Sequence, residues 1–111
     1  MQDYYKKAYA AIRKHSTNSY IVINPSMTPF EYGTESYWTN FMNPDQGYTK
    51  VAMDLHYYSC FNGAGDSTDA DFNIDYINTK RVAQIKEFKE KNPKLQIIGE
   101  WSACQHGDSA R

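Results

Sequence analysis

The chain has 111 residues, enough for one compact domain and too few for two of ordinary size. Its 12 Lys and Arg against 13 Asp and Glu leave a formal net charge of -1, so no basic field exists to hold nucleic acid or an anionic membrane surface. Hydrophobic residues make up 41% and charged residues 23%, and no apolar run nears the roughly 20 residues of a membrane helix, so neither disorder nor membrane spanning fits.

In chain order, DYYKKAYAAIRKH from Asp3 to His15 places Tyr5, Ala8, Tyr9 and Ile12 at helical spacing, which predicts an amphipathic helix. YIVIN at Tyr20 to Asn24 is a short β-branched run stopped by Pro25, as expected of a strand buried on both faces. From Pro25 to Thr49 runs a long connection punctuated by Pro29, Gly33, Pro44 and Gly47, with room for one helical turn around Glu35 to Phe41. KVAMDLHYY at Lys50 to Tyr58 is a second buried strand, and the Gly, Ser and Asp of SCFNGAGDSTDADF make the next loop. A long helix follows in NIDYINTKRVAQIKEFKEKN, with Ile74, Ile77, Ile85 and Phe88 as its core stripe and Asn92 and Pro93 as its stop. LQIIGEWSAC supplies a third strand. Strands alternating with helices predict an α/β fold with parallel strands and functional loops at their carboxyl ends.

Aromatic residues reach 15%, with 10 Tyr and 2 Trp. Flat rings with a polar handle stack well on sugars, and they serve equally well in core and loop packing. Cys60 and Cys104 show no CxxC pairing, and His15, His56 and His106 share no ligand spacing, so no metal and no other cofactor is expected. The opening MQDYYKKAYA has no apolar core of the secretory kind; any such signal is expected upstream.

Two strand ends carry groups that are costly to bury idle: Asp54, His56, Tyr57 and Tyr58 in DLHYY, and Glu100 in GEW. Alternation puts Asp54, His56 and Tyr58 on one face of their strand. A glutamate after an apolar strand can be an ion-pair partner, a helix cap or a catalytic group, and a histidine there can be structural or a base. If the strands are parallel neighbours, His56, Tyr58 and Glu100 converge on one crevice at the carboxyl edge of the sheet. A carboxylate held ionised and aimed by a phenol and an imidazole suits attack on the anomeric carbon of a sugar, with Trp101 and Trp38 as candidate sugar platforms.

The stretches ESYWTNF, DLHYYSCF and GEWSAC, in this order and separation, resemble the later part of a glycoside hydrolase family 5 barrel, most like its fungal and oomycete exo-1,3-beta-glucanases (glucan 1,3-beta-glucosidases). The resemblance runs from the first helix to about Cys104. It implies a partial (β/α)8 TIM barrel in which residues 1–111 hold the helix after strand four and strands five to seven. It implies that Glu100 is the catalytic nucleophile, that His56 and Tyr58 line the sugar site with the Tyr58 hydroxyl orienting the nucleophile, and that Trp38, Phe41 and Phe30 belong to the outer cleft. A β-glucan or oligosaccharide substrate and an extracellular or cell-wall location follow from it.

The chain departs from that pattern in one respect that matters for chemistry. A retaining glycosidase needs two carboxyl groups about 5 to 5.5 Å apart, and the Asn-Glu pair that carries the family's acid/base does not occur here. Asp3 follows Gln2 and does not stand in for it; the family's earlier Arg and His sugar contacts and its strand-eight Trp are missing too. A barrel of this class takes about 250 residues, so the expectation is a fragment that begins just after the acid/base, is inactive alone and depends on the missing barrel segments. The alternative is a non-catalytic carbohydrate-binding remnant. Cys60 and Cys104, after adjacent strands, are expected within reach of each other.

Overall fold

A computed structural model of the chain describes residues 1–25, 35–59 and 67–102. Helix α1 spans Gln2–Arg13, strand β1 Ile21–Ile23, helix α2 Glu35–Thr39, strand β2 Val51–Tyr57, helix α3 Ala70–Tyr76, helix α4 Val82–Lys91 and strand β3 Leu95–Trp101. A 3-10 turn at Pro44–Gln46 leads into β2, and a π-helical turn at Ile77–Arg81 joins α3 to α4. The strands form one parallel sheet in the order β1-β2-β3. The alternating α/β order and parallel pairing read from the sequence are thus observed. The pair Cys60 and Cys104, and Phe30, lie outside the described residues.

β2 is the central strand, and Val51, Ala52 and Met53 are buried in succession, so both of its faces are covered at that end. β1 differs from expectation: alternation sends Val22 away from Ile21 and Ile23, and it stays 48% exposed. β3 is open along its length, with Leu95, Ile97, Ile98 and Trp101 all exposed. A parallel strand with bare apolar side chains is an edge that a further element would ordinarily cover.

The core forms where Ile23, Met53, Leu55 and Tyr57 of the sheet meet Trp38, Phe41 and Met42 beside α2 and Phe88 of α4. Trp38 packs edge-on to Phe41 with centroids 5.7 Å apart, and Tyr5 of α1 meets Trp38 edge-on at 6.3 Å. Much of the aromatic excess is therefore packing. Tyr5 and Tyr9 carry the inner face of α1, while Ile12 of the expected stripe is 38% exposed.

The long helix starts earlier than its apolar stripe, because Asp69 caps it by accepting from the backbone N–H of Asp71 and Phe72. Its stripe also breaks. Phe88 is fully buried and Ile85 packs on the core, whereas Ile74 is 58% exposed. The π turn between them inserts an extra residue into the helical phase, so a 3.6-residue period cannot hold across it.

At the amino end of the sheet the buried Lys94 ammonium donates to the Thr39 carbonyl at 3.3 Å and to the side-chain oxygen of Asn43, and Asn43 in turn donates to Thr39 at 2.8 Å. Burial lowers the Lys94 pKa from 10.5 to about 8, with Asp45 opposing the shift. Between about pH 8 and 10.5 the unfolded chain then holds a proton that the folded chain has lost, so stability rises with pH across that window. Tyr9, lowered to about 8 chiefly by hydrogen bonding to Thr49, adds a slope of the same sign. In a Tyr9→Phe background, the urea midpoint should climb from pH 8 to 10 and Lys94→Met should flatten that climb; an unchanged slope would contradict the burial of the charge.

Candidate active site

The carboxyl edge of the sheet gathers the polar groups of β2 and β3. Pairing runs Leu55 with Ile98 and then His56 with Glu100, so Gly99 is an extra residue, a bulge in β3. The bulge brings Glu100 level with His56, and paired residues of parallel neighbours share a face. Glu100 Oε2 accepts from the Tyr58 hydroxyl at 2.5 Å and lies 3.4 Å from His56 Nδ1. The other ring nitrogen, Nε2, lies 3.1 Å from Asp54 Oδ2. Asp54, His56, Tyr58 and Glu100 therefore form one continuous polar row across two strands.

Four further residues position that row. The Gly99 N–H donates to Asp54 Oδ1 at 2.9 Å, and a Cβ on residue 99 would fall 2.2 Å from that oxygen, so only glycine leaves room for the carboxylate. Asn24, just past β1, places its amide nitrogen 3.3 Å from Asp54 Oδ2 and 3.0 Å from His56 Nε2. Its backbone is fixed by Tyr5 of α1, whose hydroxyl donates to the Asn24 carbonyl at 2.8 Å and accepts from the Asn24 N–H at 3.0 Å. On the far side the buried Arg81, at the end of the π turn, donates to the Tyr58 carbonyl at 3.1 Å and lies 5.0 Å over the Tyr57 ring. A π turn at such a place is a common way of setting one side chain out of helical phase.

The structure thus brings together Glu100, Tyr58 and His56, with Glu100 54% exposed to solvent and His56 23%. The aromatic residues expected as platforms lie in different surroundings. Trp38 and Phe41 are each 4% exposed, locked in the aromatic core, and present no open face to a sugar. Trp101 is 72% exposed but pairs with Tyr57, so it leaves β3 on the core face, opposite Glu100. Asp54 was visible in the alternation of DLHYY without a partner to give it a role; Asn24, Gly99 and Arg81 carried no sequence signal that singled them out. Among the described residues no group of three or more His, Cys, Asp or Glu side chains could hold a metal ion.

Replacing Gly99 with Ala should push Asp54 aside and cost about 1 to 3 kcal/mol, the usual penalty of overpacking. Removing the obstructing carboxylate with Asp54→Ala should relieve part of that cost, so urea denaturation of the two single variants and the double should show a coupling above about 0.5 kcal/mol. Strictly additive losses would contradict the close approach of residue 99 to Asp54.

The same chain matches the family described as Cellulase (glycosyl hydrolase family 5) over residues 1–111. It is similar to a glucan 1,3-beta-glucosidase of Yarrowia lipolytica, 25% identical over 96% of this chain and 24% of the relative. It is also similar to a probable glucan 1,3-beta-glucosidase A of Emericella nidulans, 25% identical over 94% of this chain and 22% of the relative. A glucan 1,3-beta-glucosidase of Candida oleophila is 28% identical over 94% of this chain and 23% of its own length. The chain spans about a quarter of the length of these curated relatives. With a family match across every residue, the chain belongs to glycosyl hydrolase family 5.

Proposed function

We propose that this chain is the nucleophile-bearing part of a retaining β-glucan hydrolase resembling glucan exo-1,3-beta-glucosidases, with Glu100 as the nucleophile. The observation that carries this reading is the placement of the Glu100 carboxylate at the end of a parallel strand, partly open to solvent, with Oε2 held by the Tyr58 hydroxyl and facing His56 Nδ1. The Tyr58 hydroxyl donates to that oxygen, and His56 with its hydrogen on Nδ1 faces the same atom, which fixes the carboxylate plane. The second oxygen is then directed at the sugar.

In the first step that oxygen bonds to the anomeric carbon as the bond to the leaving oxygen breaks, and a general acid protonates the leaving oxygen. In the second step water attacks the same carbon, its proton goes to the now basic partner, and the ester to Glu100 is cleaved. Tyr58 and His56 aim the nucleophile throughout. On this reading the acid/base is the Asn-Glu strand end outside these residues, β1, β2 and β3 are barrel strands five, six and seven, and the other barrel segments are the partners of the open β3 edge. The family is one of (β/α)8 barrels, and the three-stranded parallel sheet is compatible with an arc of such a barrel. The likeness to the glucan 1,3-beta-glucosidases supports a β-glucan substrate, and an extracellular or cell-wall location is proposed with it. No helix among the described residues is long and apolar enough to cross a membrane. The alternative of a carbohydrate-binding remnant is weakened by the burial of Trp38 and Phe41.

The pure 111-residue chain should show no steady hydrolysis of laminarin or an aryl β-glucoside, because a lone nucleophile lacks the acid for the leaving oxygen. A protein extended to include the Asn-Glu strand end and the eighth strand should hydrolyse one of them, and Glu100→Gln should lower its kcat by at least about a thousandfold. Turnover by the short chain, lost in Glu100→Gln, would overturn the placement of the acid/base; a well-folded extended protein inactive on every β-glucan would overturn the hydrolase reading.

A further inference from the structure

His56 faces a carboxylate at each ring nitrogen, Glu100 at Nδ1 and Asp54 at Nε2. Carboxylates only accept hydrogen bonds, and a neutral imidazole has one N–H to give. With that hydrogen on Nε2, the bare Nδ1 faces Glu100 Oε2 at 3.4 Å; with it on Nδ1, the bare Nε2 faces Asp54 Oδ2 at 3.1 Å and needs a donor there. The structure supplies a way out at Asn24.

The Asn24 amide nitrogen faces three neighbours: the Asp54 carbonyl at 3.4 Å, Asp54 Oδ2 at 3.3 Å and His56 Nε2 at 3.0 Å. Two of the three are oxygens that can only accept, so the end of the amide turned toward them is the NH2 end. The shortest of the three contacts is the one to the ring, so a bare Nε2 there receives an N–H. An N–H on Nε2 would instead go to Asp54 Oδ2 at 3.1 Å and would leave the Asn24 amide no acceptor on the ring. Tyr5 holds the Asn24 backbone from both sides, so the amide is anchored to α1 and not free to turn away with β1.

We propose that Asn24 is a positioning residue whose amide donates to Nε2 of His56 and thereby keeps the imidazole hydrogen on Nδ1, facing Glu100. This rests on Glu100 being the reacting carboxylate, since its purpose is to give that carboxylate a second donor beside Tyr58. Asp54 serves the same end at one remove: its Oδ1 is tied to Gly99, and its Oδ2 accepts from the second N–H of Asn24 and holds the amide in place.

The test is the tautomer of His56, read from nitrogen-15 ring signals of the full chain near pH 9, where an ordinary imidazole is neutral. The signals are assigned by their loss in His56→Gln. The wild-type ring should carry its hydrogen on Nδ1, with Nε2 bare. Asn24→Ala should move the ratio of Nδ1–H to Nε2–H forms at least about tenfold toward Nε2–H, because Asp54 then becomes the natural acceptor. The double variant Asn24→Ala with Asp54→Asn should restore the Nδ1–H form: Gly99 holds the new amide oxygen, which leaves the new NH2 where Oδ2 stood, 3.1 Å from Nε2. A wild-type ring protonated on Nε2 alone, or a ratio that Asn24→Ala leaves unchanged in a folded chain, would overturn the proposal; the wild-type reading alone decides the matter if Asn24→Ala does not fold. The ring signals report on His56 whether or not the protein cleaves a glycoside, so failure here is distinct from failure of the hydrolase reading.

Discussion

The N–H of Gly99 reaches the carboxylate of Asp54 at 2.9 Å, and the space for that carboxylate exists because residue 99 has no Cβ. Geometry at the carboxyl edge follows from this one contact. The bulge at Gly99 shifts β3 by a residue, which places Glu100 opposite His56 instead of leaving it out of step. Held at one oxygen by the bulge, Asp54 has its other oxygen available for His56 and Asn24, so the anchoring of the strand and the orientation of the ring are set by the same side chain. The edge behaves as a unit, and a change at residue 99 is felt at Glu100 through two routes at once.

The two ends of the sheet do different work. At the amino end, Lys94 and the Asn43 loop tie α2 to the start of β3 through buried hydrogen bonds, and a charge is desolvated there far from any chemistry. At the carboxyl end, the polar row is left partly open, with Arg81 and Tyr5 bracing it from the helices. Such a division is what a parallel α/β sheet imposes, since the strand ends at one edge carry the loops and the other edge only holds the layers together. The open apolar flank of β3 fits a chain that spans less than a quarter of each relative, for a sheet of three parallel strands has an edge to cover and a barrel does not.

What was legible in the sequence was what depends on period and chain order. YIVIN, KVAMDLHYY and LQIIGEW were readable as strands because β-branched and apolar residues run together between turn signals, and alternation puts His56 and Tyr58 on one face, whereas the meeting of Tyr58 with Glu100 needs the bulge at Gly99 as well. Contacts made by residues with no periodic signature were not legible. Asn24 looks like a strand terminator, Gly99 like a turn residue and Arg81 like part of a charged helix face, and each acquires its role only when a distant segment packs on it. The aromatic residues are ambiguous for a related reason: Trp38 and Phe41 suit a sugar or a core equally well, and Tyr5 and Phe88 pack the core around them. The lost phase at Ile74 came from a π turn, which no residue in INTKR announces.

The central claim is that Glu100 attacks the sugar, and covalent trapping tests it most directly. A dinitrophenyl 2-deoxy-2-fluoro-β-glucoside has a leaving group that departs without protonation, so the first step needs only the nucleophile, and the fluorine slows the second step enough for the ester to be isolated. With the extended protein, digestion and mass spectrometry of the trapped material should place the fluoroglucosyl group on the peptide containing Gly99, Glu100 and Trp101, with fragmentation assigning it to Glu100. An ester on any other carboxylate of the folded protein would contradict the account.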